Sequence, residues 1–144
     1  MRPACLPFFV YGTLRPGERN HDRVLRGRVA SVEAAVLPGT LLFDGPGYPY
    51  AVDDPRGAGR VHGELVEPLP EAYDEVLADL DRLEEYVPGA PGNLYERVVR
   101  EVRCGDGARR AWVYLAAGPI RQELLASGRR AGGDWRSRRG KCPR

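Results

Sequence analysis

Metal-binding side chains are scarce in this sequence. Three cysteines (Cys5, Cys104, Cys142) and two histidines (His21, His62) are spread through 144 residues. No CxxC pair occurs, so a zinc site has no ligand set to draw on, and the expected metal is none. An odd, dispersed cysteine count also argues against a disulfide framework and for a reducing, cytoplasmic setting. Cys5 and Cys104 lie in or beside strand-like runs, where buried structural thiols are common. No apolar run approaches the roughly 20 residues of a membrane span, and Met1–Leu6 leads into a strand-like segment without a secretory h-region. Nucleotide-binding loops are missing too: neither GxxxxGK[ST] nor GxGxxG is present, so no cofactor is expected. There is no GxSxG elbow, and Ser31, Ser127 and Ser137 have no histidine partner in sequence.

What is present is the composition of one ordinary globular domain, with 42% hydrophobic and 29% charged residues. The 18 glycines and 13 prolines favour many turns and short strands. Charge is uneven. Residues 121–144 hold eight Lys/Arg against Glu123 and Asp134, a local +6 in a chain of net +2. We therefore expect a domain over residues 1–120 and a basic C-terminal tail over 121–144, ordered in part at most. That tail has one aromatic, Trp135, and no base-reading motif, which favours a solvated, mobile segment over a nucleic-acid partner.

Turn chemistry divides the rest. Leu6–Tyr11 reads as a buried strand ended by Gly12, and Pro16-Gly17 closes the following loop. Asn20 is a plausible N-cap for a short helix to Leu25. Residues 28–43 read as one strand or two, broken at Pro38-Gly39. Tyr48–Val52 and Val61–Glu67 are strand-like. Pro70–Tyr86 is the one long helix, stopped by Pro88-Gly89-Ala90-Pro91-Gly92. Leu94–Cys104 and Arg109–Ala117 form a hairpin around Gly105-Asp106-Gly107, and a short helical stretch follows at Gln122–Leu125. Strands in runs with one segregated helix predict an α+β fold.

Within the helix, Tyr73, Leu77, Leu80 and Glu84 follow i, i+4, i+7, i+11 and share one stripe. That stripe turns Glu84 toward the core, while Glu85 lies over Ala78 and Asp81 on the solvent side. Desolvation, the negative end of the helix dipole and the nearby Asp81 and Glu85 would all raise the pKa of an inward carboxyl. Such a group can take and return a proton near neutral pH. Two plainer readings stand beside this one: the helix ends at residue 83 with Glu84 in solvent, or Glu84 pairs with Arg97. The Tyr11-Gly12-Thr13-Leu14 turn could present consecutive N–H groups to a carboxylate, or be an ordinary tight turn. Tyr48, Tyr95, Trp112, Tyr114 and Trp135 are candidates to line a pocket, although buried aromatics more often serve a core.

Two blocks carry a more specific signal. Tyr11-Gly12-Thr13-Leu14-Arg15-Pro16-Gly17, with Asn20 following, resembles the N-terminal signature of the γ-glutamyl cyclotransferase-like family. Leu80-Asp81-Arg82-Leu83-Glu84, Tyr86 and Leu94-Tyr95-Glu96-Arg97 resemble its second block. Gly47-Tyr48-Pro49 and Ala111-Trp112-Val113-Tyr114 fit as well, and the pieces span roughly residues 6–117 in order. The resemblance implies a small mixed β-barrel with helices packed outside and a pocket at one end. It implies that Glu84 is a general acid/base, that Tyr11 through Leu14 hold a substrate carboxylate, and that Tyr95 lies near the pocket. The implied reaction is cyclisation of a small γ-glutamyl substrate with release of 5-oxoproline. A non-catalytic small-carboxylate-binding protein using the same pocket is the alternative. The sequence departs from the family pattern at Glu85, where glycine is usual, and the 87–93 segment is slightly long. The leaving amine and the oligomeric state stay open at this point.

Overall fold

The computed structural model describes residues 5–105 and 107–136. Five strands close into a barrel: β1 (Phe8–Val10), β2 (Val29–Pro38), β5 (Arg60–Pro68), β6 (Tyr95–Cys104) and β7 (Gly107–Ala116), in the order β1-β5-β2-β6-β7. β3 (Thr40–Asp44) and β4 (Pro49–Asp53) form a separate hairpin. The long segment after residue 28 is thus two strands, parted where Gly39 adopts φ 69°. Every barrel pairing is antiparallel except that of β1 with β7, where Phe8 stands opposite Trp112. The fold is the expected α+β mixed barrel. In the β6–β7 hairpin Cys104 faces Gly107 across the turn; Asp106, part of the turn signal, lies outside the described residues.

Alternation along β1 sorts its side chains between two cores. Phe9 enters the barrel interior with Leu37, Val61, Leu65, Val102 and Val113. Phe8 and Val10 face the other way, into a second core shared with α1 (Tyr73–Leu83). A short 3₁₀ turn, Pro70–Ala72, opens that helix, as proline at the first position allows. Val76 and Leu80 are fully buried beneath it, each worth roughly 1.5–3 kcal/mol against exposure. The helix is thereby held against the outer face of β1 and β5, and its last turn meets the loop after β1.

Several expectations change here. The short helix before β2 is a π-helical turn, His21–Leu25, and Asn20 makes no side-chain cap to it. Its amide is used elsewhere, as the site shows. Cys5 is exposed and Cys104 half-buried, so neither is a deeply buried structural thiol; both are free. Of the tail expected over 121–144, the described part, residues 121–136, packs on the barrel. α2 runs from Gly118 to Ser127, and Asp44, Ala131 and His62 then share backbone hydrogen bonds with Arg129, Leu42 and Gly133. The physical reason is Arg15, buried at 4% side-chain exposure, which needs Asp134 as a partner. Trp135 adds apolar contact with the barrel core. Residues 137–144, with Cys142 and four of the tail's eight basic side chains, lie outside the described residues. No helix among the described residues is long and apolar enough to cross a membrane.

Candidate active site

α1 ends at Leu83, and Glu84 is its C-cap with φ −84°, ψ 2°. The Glu85 N–H donates to Arg82 O at 3.1 Å and the Tyr86 N–H to Asp81 O at 2.8 Å. These are the two bonds of a Schellman motif, with Glu85 at the left-handed C′ position, φ 53°. The helix thus stops one residue short of Glu84, yet Glu84 does not run into solvent. The cap holds it against the buried Leu80 and partly buried Leu83, facing the loop after β1.

Arg97, the other plain partner for Glu84, is committed elsewhere. It grips Asp81 through Nε at 2.8 Å and Nη2 at 3.3 Å, and its guanidinium lies 4.3 Å from the Trp112 ring centroid. Tyr114 donates to the same Asp81 at 2.6 Å. Glu84 makes no ion pair or side-chain hydrogen bond among the described residues. Burial without compensation pushes its pKa up to about 7. The sequence argument also invoked the helix dipole and neighbouring acids; desolvation is the cause that carries the shift.

The loop wall is built around Gly12. A Cβ there would come within 2.9 Å of Pro49 Cδ, so only glycine lets the turn pass this close to the start of β4. The turn is fixed by two backbone bonds, Arg15 N–H to Gly12 O and Asn20 N–H to Thr13 O. The Asn20 amide then donates to Thr13 Oγ1 at 2.9 Å, orienting that hydroxyl. The N–H groups of Gly12, Thr13 and Leu14 meet no protein acceptor among the described residues. Successive free N–H groups are what an anion-binding nest requires.

Tyrosines form the remaining wall, with their hydroxyls spent on structure. Tyr11 donates to Tyr114 O, and Tyr95 donates to Pro49 O at 3.0 Å. Burial drives the phenols of Tyr11, Tyr95 and Tyr114 well above their ordinary pKa, so they stay neutral. Tyr95 also stacks on Tyr50, which in turn meets Tyr48 edge-on.

These pieces enclose a pocket of about 250 Å³. Eight of the ten residues offered from sequence as site or pocket candidates line it: Tyr11, Gly12, Thr13, Leu14, Tyr48, Glu84, Tyr95 and Tyr114. Trp112 and Trp135 do not. Arg19, Glu85 and Leu94 line it as well, and sequence reasoning gave none of them a place in the pocket. Arg19 sits there because its Nη2 donates to Gly47 O at 3.0 Å, a contact between segments with no sequence signal. Among the described residues no cluster of His, Cys, Asp and Glu could hold a metal ion.

Fold and pocket together define a class: a small mixed barrel with a single desolvated carboxyl facing an amide-rich loop. Residues 8–137 match the family described as gamma-glutamyl cyclotransferase, AIG2-like. The chain is 36% identical over 108 residues to gamma-L-glutamyl-butirosin B gamma-glutamyl cyclotransferase of Niallia circulans, covering 74% of this chain and 64% of that protein. A Halalkalibacterium halodurans protein provisionally named a gamma-glutamylcyclotransferase is 33% identical over 77% of this chain and 90% of its own length. Among solved structures, a mouse AIG2-like protein superposes with a TM-score of 0.60 at 25% identity, over 78% of this chain and 77% of that one. YkqA of Bacillus subtilis shares the fold (TM-score 0.56, 23% identity), and this chain spans 42% of its length. The chain belongs to the gamma-glutamyl cyclotransferase, AIG2-like family.

Proposed function

We propose that the protein converts a γ-glutamyl amine or amide into 5-oxoproline and the free amine, with Glu84 as general acid/base. The observation that supports this most directly is an uncompensated carboxyl, titrating at about 7, in one pocket with three consecutive unused N–H groups. The loop amides and Thr13 receive the substrate α-carboxylate. Glu84 takes a proton from the α-ammonium, and the freed nitrogen attacks the δ-carbonyl carbon to form the new ring C–N bond. An N–H donor stabilises the oxyanion of the tetrahedral intermediate. Glu84 returns its proton to the departing nitrogen and the original amide C–N bond breaks; the ring nitrogen gives up its second proton to the released amine, which leaves as the ammonium. Nucleophile and electrophile belong to one molecule, so positioning and one proton shuttle suffice. The neutral, hydrogen-bonded tyrosines shape the cavity and keep water away from the reacting atoms.

The test is 5-oxoproline release from a panel of γ-glutamyl amines by the wild-type protein and by Glu84→Gln. We expect release by the wild type and a loss of about a hundredfold or more in a folded variant. Near-normal turnover by Glu84→Gln removes the assignment. Binding of γ-glutamyl amines by the wild type without release would make the pocket a binding site instead.

A further inference from the structure

On the reading that this pocket cyclises a γ-glutamyl amine, we infer that the leaving amine carries a second positive charge and that Glu85 recognises it. Three observations meet at this residue. Glu85 is the one non-glycine residue with positive φ among those described, 53°. It occupies the Schellman C′ position, where glycine is the common choice because a Cβ strains left-handed backbone. The backbone there closes the cap, but the side chain makes no hydrogen bond or ion pair among the described residues, so the fold makes no use of the carboxylate itself. It does line the pocket.

The pocket's charges give this a direction. Of its lining residues only Arg19, Glu84 and Glu85 are ionisable to a full charge near neutrality. Glu84 lies deep, beside the loop that takes the glutamyl end. Glu85 is exposed at the mouth, where the amine beyond the scissile bond must project. Arg19 is drawn toward Gly47 O, at the β3–β4 side. Leu83 and the 40%-exposed Leu94 supply an apolar stretch of the lining. A short aliphatic spacer ending in an ammonium fits that sequence of surfaces: apolar wall first, carboxylate at the rim. A charged side chain kept where glycine would close the same cap without strain is a mark of function.

The experiment compares γ-glutamyl-1,4-diaminobutane with its neutral counterpart, γ-glutamyl-N-butylamide, by 5-oxoproline release. The wild type should favour the diamine in kcat/KM by about fivefold, the scale of a partly exposed ion pair. Glu85→Gln and Glu85→Gly should erase the preference, chiefly through KM for the diamine. Glu85→Gly should also melt about 3 °C higher, since glycine relieves the left-handed strain. Equal use of both substrates by the wild type, or a preference that survives in both variants, overturns the inference. So does an equal rise in KM for both substrates, which would place Glu85 on the α-ammonium. Absence of 5-oxoproline from either substrate, and from any other γ-glutamyl amine, defeats the cyclotransferase reading itself and is distinct from those results.

Discussion

The loop from Tyr11 to Gly17 separates two places where this small barrel buries charge, and the two are built in opposite ways. On one side Arg15 is surrounded by acceptors: Glu64 takes Nε at 2.8 Å and Nη2 at 3.1 Å, and Trp135 O takes Nη1 at 2.7 Å beside Asp134. On the other side Glu84 has no partner among the described residues, and burial pushes its pKa up to about 7. A buried charge that is fully paired holds segments together, here β5 and the 134–135 stretch. A buried carboxyl left unpaired is costly to the fold and available for proton transfer. The same short loop ties one region down and presents its amides to the other.

Breaking each side should give opposite phenotypes. The largest effect is expected for Glu84→Gln, a loss of 5-oxoproline release of about a hundredfold or more with no loss of stability; circular dichroism and the product assay together check it. Arg15→Met should do the reverse. Removing the buried cation leaves Glu64, at 14% side-chain exposure, with only the longer 3.8 Å pair to Arg136, and should cost about 3 kcal/mol in urea unfolding. The folded fraction should keep its turnover within a few-fold. A variant that lost chemistry and kept stability would erase the contrast.

pH sharpens the comparison. Glu84 titrates at about 7 in the folded state against an ordinary 4.5. The folded protein therefore binds more protons between those values, and stability falls as pH rises through that window. Glu84→Gln should remove this slope, gaining about 2 kcal/mol over wild type above neutrality, with allowance for the pocket's opening to solvent. Wild-type kcat/KM should rise through about pH 7 as the base form appears. Parallel stability curves for wild type and variant would contradict the buried, uncompensated carboxyl. The smallest effect is expected for Asn20→Ala, which loses the bond to Thr13 Oγ1. It should lower stability by about 1 kcal/mol and raise KM more than it lowers kcat, as read in melting and steady-state kinetics.

Much of this was legible along the chain. Helical period alone separated Glu84 from Glu85, because a stripe of Tyr73, Leu77 and Leu80 can face only one way. Pro38-Gly39 marked the strand break, and the two motif blocks contained every residue of the loop wall. The reading failed where distant segments meet. Asn20 looked like a cap and instead braces Thr13. The Arg-rich stretch after the short helix at Gln122–Leu125 looked solvated because its arginines are visible in sequence, whereas the partner that recruits Asp134 is Arg15, over a hundred residues away. Arg19 reaches the pocket through Gly47, and no local pattern announces it.

By itself the sequence determined the elements, the inward face of α1 and the glycine turn, since periodicity and turn chemistry are properties of neighbouring residues. Only the tertiary structure decided that Glu84 is desolvated without a partner among the described residues. That state requires β1, α1 and β6 to converge while Arg97 is taken by Asp81. Tertiary structure likewise put Glu85 at the pocket mouth, because the final turn of a helix is aimed by what the helix packs against.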